Sequence, residues 1–318
     1  MSPFSPFATN LAAKMAAKLA AVPVREHTLV VGGAATRYWE YGDANATQSI
    51  VMIHGFRGDH HGLEPIVAEL GDDVRVIIPD LPGFGASDAL PGISDIGAYQ
   101  RWLGEFFAAV GESASTSHAG VPVILGHSFG SIVVAAALAE GLAAPHAIFI
   151  NPIAANALQG PNAFMTRLAV LYYKAAAALP EKAGFALLKN KAIVRIMSNT
   201  MAKTPDPELR TWIHAQHDAY FSDFVSRASV LEAFETSVSN DVSQFVDAIN
   251  ARSHPVEFLL LVADRDDITA LPEQKLLAAR LAGAQLEIVT GVGHLVHYEA
   301  PDFAARNIRS FMGLSTHS

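Results

Sequence analysis

The chain of 318 residues contains no cysteine. That excludes disulfides, thiolate nucleophiles and Cys-ligated zinc or iron–sulfur centres, and it fits a reducing, cytoplasmic setting. Charge is scarce as well. Asp, Glu, Lys and Arg make up 17% of the residues and hydrophobic types 51%, with a mean hydropathy of +0.25, which argues against global disorder. There is no run of Lys or Arg and the net charge is -9, so nucleic acid is not an expected partner. No apolar stretch approaches the ~20 residues that span a bilayer, so stable membrane insertion is not expected. The N-terminal stretch NLAAKMAAKLAAVP holds Lys14 and Lys18 inside its apolar part, not ahead of it, unlike a secretory signal. Its Leu11, Met15, Leu19 and Val22 recur at helical spacing, which predicts a short helix docked on the body. No H-E-x-x-H occurs, and the adjacent His60 and His61 lack helical ligand spacing, so no metal is expected. G-F-G-A at 83–86 opens no helix in the register of a dinucleotide fingerprint, and no cofactor is expected either.

What is present is an alternation of β-branched blocks with helical patterns, the signature of an α/β fold with a mostly parallel sheet and helices on both faces. EHTLVVGG and ATRYWEYG read as an initial antiparallel pair, and QSIVMIHG, DVRVIIPD, VPVILGHS and HAIFINP as the following strands. From about Ala154 to about Asn240 the rhythm breaks into three long helical patterns with no convincing strand. Strands resume at PVEFLLLVAD and AQLEIVTGVGH, and PDFAARNIRSFMGL closes the chain as a helix with Pro301 near its start. The expected organisation is an N-terminal helical extension (1–24), a core (25–153 and 241–318) and a helical cap (154–240) placed over the C-terminal ends of the strands.

Gly126-His127-Ser128-Phe129-Gly130 matches G-x-S-x-G and falls between a strand and a helix. In that context the serine sits on a strained turn that lifts its side chain above the sheet. The glycines allow the backbone to pack closely around it. A nucleophilic serine needs a base and an acid. His294 follows the last strand at the same edge of the sheet and is the candidate base, with His297 as competitor; imidazole titrates near neutrality. After the penultimate strand, LLLVADRDDITAL offers Asp264, Asp266 and Asp267 as the acid.

Serine, then acid, then histidine is the chain order of the α/β-hydrolases, which this sequence resembles over about residues 28–152 and 245–314. The resemblance implies an eight-stranded, mostly parallel sheet with a helical cap inserted after strand 6. It points to Asp266, because the family's acid commonly ends a G-x-x-D turn, here Ala263-Asp264-Arg265-Asp266 with alanine for glycine. The alternative family position, at the end of the strand before the cap, reads Asn151, which carries no charge. The resemblance also places an oxyanion hole at the Phe129 amide and, from the H-G-x pattern at His54-Gly55-Phe56, at the Phe56 amide. His54 would organise that loop, and Asp80 and Ser87 of PDLPGFGASD would shape a turn. Serine at the nucleophile position argues against the haloalkane dehalogenases and most epoxide hydrolases of this fold, which use Asp.

The implied chemistry is cofactor-free acyl transfer. A carboxylic-ester hydrolase acting on a small to medium apolar substrate is the foremost expectation. The alternatives are a carbon–carbon bond hydrolase acting on a ketone, a lyase or a perhydrolase, and then a non-catalytic ligand receptor on the same fold. The expected cap carries Phe164, Leu171, Tyr172, Tyr173, Phe185, Met197, Met201, Trp212, Tyr220 and Phe221, of which some would line an apolar pocket. Candidate substrate contacts are Arg57, offered to a substrate carboxylate, and His127, Tyr172 and Trp212.

Overall fold

A computed structural model describes residues 8–115, 120–156 and 163–315. The first seven residues of the expected N-terminal extension, and residues 157–162 at the start of the expected cap, lie outside the described residues. Eight strands form one sheet: β1 (Val24–Val31), β2 (Ala34–Tyr41), β3 (Ser49–Ile53), β4 (Arg75–Pro79), β5 (Val123–His127), β6 (His146–Ile150), β7 (Glu257–Ala263) and β8 (Gln285–Val289). Their order is β1-β2-β4-β3-β5-β6-β7-β8. β1 and β2 pair antiparallel, β2 pairs antiparallel with β4, and all further pairings are parallel. The first hairpin turns on Gly32 and Gly33, both at positive φ (60° and 79°); two left-handed residues are what a two-residue turn matching the strand twist requires.

The central strands are buried along their whole length, while β1 and β8 at the edges alternate with exposed positions. The pleat sends alternate residues to opposite faces. Val51, Ile53, Ile77, Ile124, Ala147, Phe149, Phe258 and Leu260 enter one apolar core. Ile50, Met52, Val76, Ile78, Leu125, Ile148, Leu259 and Leu261 enter the other. Helices cover both faces, which is why these strands read as nearly continuous apolar runs.

Helix α1 (Ala8–Ala20) precedes the sheet. Leu11, Met15 and Leu19 are partly buried and Val22 is buried, whereas Lys14 and Lys18 are exposed. The apolar stripe therefore faces the body, and α1 lies against α2 (Glu64–Leu70) and α8 (Pro207–Tyr220). The Leu11 amide donates to Glu208 and Lys18 pairs with Glu69. The remaining core helices are α3 (Ile96–Ser115), α4 (Phe129–Ala139), α10 (Val246–Asn250), α11 (Leu271–Arg280), α12 (Val296–Glu299) and α13 (Pro301–Phe311).

Between β6 and β7 run α5 (Ala163–Ala178), α6 (Glu181–Leu188), α7 (Lys191–Met201), α8 and α9 (Arg227–Ser239). The sequence suggests three helices here, and five are found. The breaks lie at cap residues. The Asn190 side chain accepts from the amides of Ala192 and Ile193 and starts α7; Ser226 accepts from Ser229 and starts α9. Side chains that satisfy the first free amides stabilise a helix start as much as they interrupt a run.

Chain order places the working edge. From β3 the chain goes to β4 on one side and then crosses to β5 on the other. The C-terminal ends of β3 and β5 flank this switch point, where open α/β sheets bind ligands.

Candidate active site

Three non-glycine residues adopt positive φ among the described residues: Arg57 (65°), Ser128 (52°) and Asn151 (41°). They follow β3, β5 and β6, three neighbouring strands. Such strain persists where the surrounding structure enforces it, and it collects at functional sites. At Ser128 the constraint is visible. Its amide donates to Ile150 O (3.1 Å), and its carbonyl accepts from the Ser131 amide (2.9 Å) and hydroxyl (2.5 Å). The glycines are obligatory: a Cβ on Gly126 would lie 2.6 Å from Gly130 O, and one on Gly130 would lie 2.3 Å from Ile53 O.

Ser128 Oγ lies 2.8 Å from His294 Nε2, and His294 Nδ1 lies 2.8 Å from Asp266 Oδ2. A carboxylate accepts, so Nδ1 carries the hydrogen and Nε2 is free to receive the serine hydroxyl. The other Asp266 oxygen accepts from the Ile268 (2.7 Å) and Thr269 (3.1 Å) amides, which fixes its orientation. The structure thus brings together Ser128, His294 and Asp266 in one chain of hydrogen bonds. The other aspartates are engaged elsewhere. Asp264 accepts from the Gly291 amide (2.7 Å), and Asp267 pairs with Lys203. His297 makes no bond to Ser128; it is buried against the His127 ring, centroids 4.2 Å apart.

Phe129 is the first residue of α4, and the Phe56 amide belongs to the loop after β3. No hydrogen bond is recorded from either amide to a described residue. A helix start leaves its first amides free and carries a partial positive charge, which favours an anion there. His54 builds the loop: its Nδ1 donates to Gly55 O (2.9 Å) and its Nε2 accepts from the Leu81 amide (2.8 Å). Burial pushes its pKa down, consistent with this neutral ring. Asp80 Oδ1 accepts from the amide and ring of His60 (2.8 and 2.9 Å), and Oδ2 accepts from the Ala86 amide (2.8 Å). Burial alone would raise the Asp80 pKa, but the His60 hydrogen bond and charge hold it below the usual carboxylate range. The Ser87 hydroxyl donates to Asp80 O (2.8 Å).

Around His294, sequence reasoning passes over Glu299 and considers Asn151 only as a possible acid. Asn151 is fully buried; its Nδ2 donates to Gly293 O (3.1 Å) and His294 O (2.9 Å), while Oδ1 accepts from the Ala263 amide (2.9 Å). It ties the histidine loop to β7. Glu299 accepts from the Gly293 (3.3 Å) and Lys203 (3.2 Å) amides, and burial lifts its carboxyl above the usual range despite those donors. A buried histidine group also backs the site. Desolvation pushes His127 and His217 down to about 3 and His297 well below its ordinary value, so all three are neutral.

Above these groups lies a cavity of about 770 Å³, within the usual range for small-molecule sites. Ser128, His294, Phe56 and Phe129 line its floor side, and Tyr172, Tyr173, Met197, Met201, Tyr220 and Phe221 from the inserted segment line it too. Leu171, Phe185 and Trp212 are absent from its wall, and the Phe164 side chain lies outside the described residues. The expected substrate contacts fare differently. Tyr172 lines the cavity with its hydroxyl donating to Leu187 O (3.0 Å), and His127 lines it as a neutral ring. Trp212 does not line the cavity; its ring packs edge-on against Tyr298, which does. Arg57 lines the cavity as well. The guanidinium is buried, donates to Leu188 O (2.7 Å), Ser222 Oγ (3.1 Å), Tyr173 Oη (3.2 Å) and Phe221 O (3.3 Å), and lies over the rings of Phe221 and Phe224. These bonds tie the loop after β3 to the inserted segment. Among the described residues, Asp59, His60 and His61 alone bring three cation-ligating atoms within 4.8 Å; His60 and His61 already bond Asp80 and Asp59 through Nδ1.

The sequence model of the alpha/beta hydrolase family matches residues 50–306, and the chain belongs to that family. No curated protein matches it in sequence. Solved structures similar to it include a bacterial membrane phospholipase A (TM-score 0.70, 19% identity, 96% of this chain and 91% of the other). An esterase from Exiguobacterium antarcticum matches with a TM-score of 0.71 at 15% identity, over 91% of this chain and all of the other, 100%. The enol-lactonase from Burkholderia xenovorans LB400 gives 0.71 at 17% identity, over 90% and 100%. At such identities the likeness is one of fold. The family match and the sheet order agree on the alpha/beta-hydrolase fold. No described helix is long and apolar enough to cross a membrane.

Proposed function

We propose that the protein is a serine hydrolase that cleaves a carboxylic ester of a small to medium apolar substrate through an acyl-enzyme. The observation that carries this reading is the pair of 2.8 Å hydrogen bonds linking Ser128, His294 and Asp266 at the base of an apolar cavity. Ser128 Oγ adds to the ester carbonyl carbon as His294 Nε2 takes its proton. The Phe56 and Phe129 amides receive the charge on the carbonyl oxygen. Asp266 holds the ring in the tautomer that can do this and stabilises the imidazolium. Collapse breaks the bond to the alcohol, whose oxygen takes the proton from Nε2. Water then repeats the sequence on the acyl-serine and leaves a carboxylic acid and the free hydroxyl. In this reading α5 to α9 are a cap, and their aromatic and methionine side chains select apolar groups. Neighbours named as an esterase and an enol-lactonase agree with that class. The cysteine-free chain suits a cytoplasmic setting.

A fluorophosphonate probe tests the nucleophile. The reading expects labelling of the wild type and none of Ser128→Ala; equal labelling of both overturns it. p-Nitrophenyl esters of graded acyl length, run beside vinylogous 1,5-diketones, test the bond cleaved. Turnover of the diketones alone would replace ester hydrolysis with carbon–carbon cleavage.

A further inference from the structure

The mouth of the cavity is marked by residues that both line it and face solvent: Leu168 of α5 (45% exposed), Ile196 of α7 (64%) and Ile268 after β7 (43%). Leu171, one turn beyond Leu168, is 63% exposed and does not enter the cavity. Large aliphatic side chains scattered singly on a surface are ordinary, but a set around one opening is not.

The charge of the same region is opposite to that of the chain. Residues 163–203 hold seven of the 22 Lys and Arg but one of the 31 Asp and Glu. That acid, Glu181, is paired with Arg227. Arg195 and Lys203 pair with Asp218 and Asp267. Arg167, Lys174, Lys182 and Lys191 are exposed and form no ion pair among the described residues. On α5, Arg167, Leu168, Leu171, Lys174 and Ala178 recur at helical spacing on the exposed side. Aliphatic residues interleaved with cations on one helical face match a lipid surface with anionic headgroups, since the cations meet phosphate while the aliphatics enter the acyl boundary. A nucleic acid would use the cations and leave the leucines in water. The amphipathic helix α1 is already occupied: its apolar stripe faces the protein.

We propose that the α5–α7 face seats the protein reversibly on anionic lipid bilayers, with the cavity mouth against the membrane. Docking there would let an acyl chain pass from the bilayer into the cavity; this last step rests on the ester-hydrolase reading, whereas the docking does not.

Flotation of the full chain with vesicles of phosphatidylcholine alone, or of equal parts phosphatidylcholine and phosphatidylglycerol, tests the docking. Binding to the anionic vesicles should exceed binding to the neutral ones by roughly tenfold and vanish at high salt. Leu171→Asp, and separately the pair K174E and K191E, should each lower it by roughly tenfold. Their melting midpoints and hydrolysis of p-nitrophenyl acetate in solution should match the wild type. No flotation of the wild type, equal flotation with both vesicles, or variants that float like the wild type would overturn the proposal. So would a wild-type dimer that ignores vesicles and that Leu171→Asp dissociates, which would make this face an interface between copies. Because flotation reads binding alone, a protein without esterase activity that still floats would overturn only the ester-hydrolase reading.

Discussion

Replacing Asn151 by leucine removes three hydrogen bonds at once. The carbonyl of Gly293 and the amide of Ala263 lose their partner in a fully buried place, and the His294 carbonyl is left with the His127 ring at 3.4 Å. An orphaned buried group costs about 1–3 kcal/mol. Two of them, with a branched side chain held at a φ of 41°, bring the loss to about 3–6 kcal/mol. A domain has about 5–15 kcal/mol in all, so the variant should unfold at clearly lower urea. The carbonyls concerned belong to the loop that presents His294, so its ring should drift from Ser128. Misplacement by about 1 Å can cost a hundredfold in rate. Fluorophosphonate labelling, measured where the variant is still folded, should slow by at least about tenfold. Asn151→Asp separates packing from polarity. It keeps the acceptor for Ala263 but turns an oxygen toward two carbonyls, so protonation is favoured in the folded state. A raised folded-state pKa means that the stability is present at low pH and lost as pH rises through that pKa. Asn151→Asp should therefore lie nearer to wild type at pH 5 than at pH 8. A leucine variant within about 1 kcal/mol of wild type that labels at the wild-type rate would refute the reasoning.

Acid should destabilise the protein through its neutral histidines. His217 stays unprotonated down to about 3 when folded, whereas unfolded histidine titrates near 6.5. Below pH 6.5 the unfolded chain binds the extra proton, so stability falls with pH by up to about 1.4 kcal/mol per unit. His217→Asn, which keeps a partner for Ser198, should flatten the dependence of the urea midpoint between pH 6 and 4; an unchanged slope would refute a neutral His217. Gly130→Ala forces a Cβ to within 2.3 Å of a backbone oxygen and should cost about 3 kcal/mol in thermal unfolding, whereas a neutral effect would mean that the turn is not close-packed. Arg57→Met orphans the carbonyls of Leu188 and Phe221 and should lower stability by about 2–4 kcal/mol. Amide exchange should then quicken around Leu188 and Phe221–Phe224, and unchanged protection would show that Arg57 does not hold these segments.

The sheet was legible in the sequence because burial on both faces writes continuous apolar runs such as SIVMI and FLLLVA. The meeting of Ser128, Asp266 and His294 was legible because each follows its strand in a fixed order. The helix breaks at Asn190 and Ser226 were not, since a capping side chain looks like any polar residue within a helical run. The hydrogen bonds of Asn151 and Arg57 were not legible, for a related reason. Residue type tells what a side chain can bond, not what the fold brings within reach. Asn151 was weighed as a missing acid, yet its amide suits two carbonyls and an N–H. Arg57 suggested an anion but found carbonyls and rings. The positive face of α5–α7 was hidden because it arises from missing acids and not from a run of bases.

The inserted helices are fastened to the sheet edge beyond their two chain connections. Arg57 makes four bonds to them, and the Gly85 and Val225 amides bond Asp223 O and Gly83 O across the gap. Swinging the insert open as a lid would break all six. If the protein is the ester hydrolase proposed above, traffic to Ser128 would run through a standing doorway at Leu168, Ile196 and Ile268. In such a building the width of the door sets who enters, and the roof need not move for each guest.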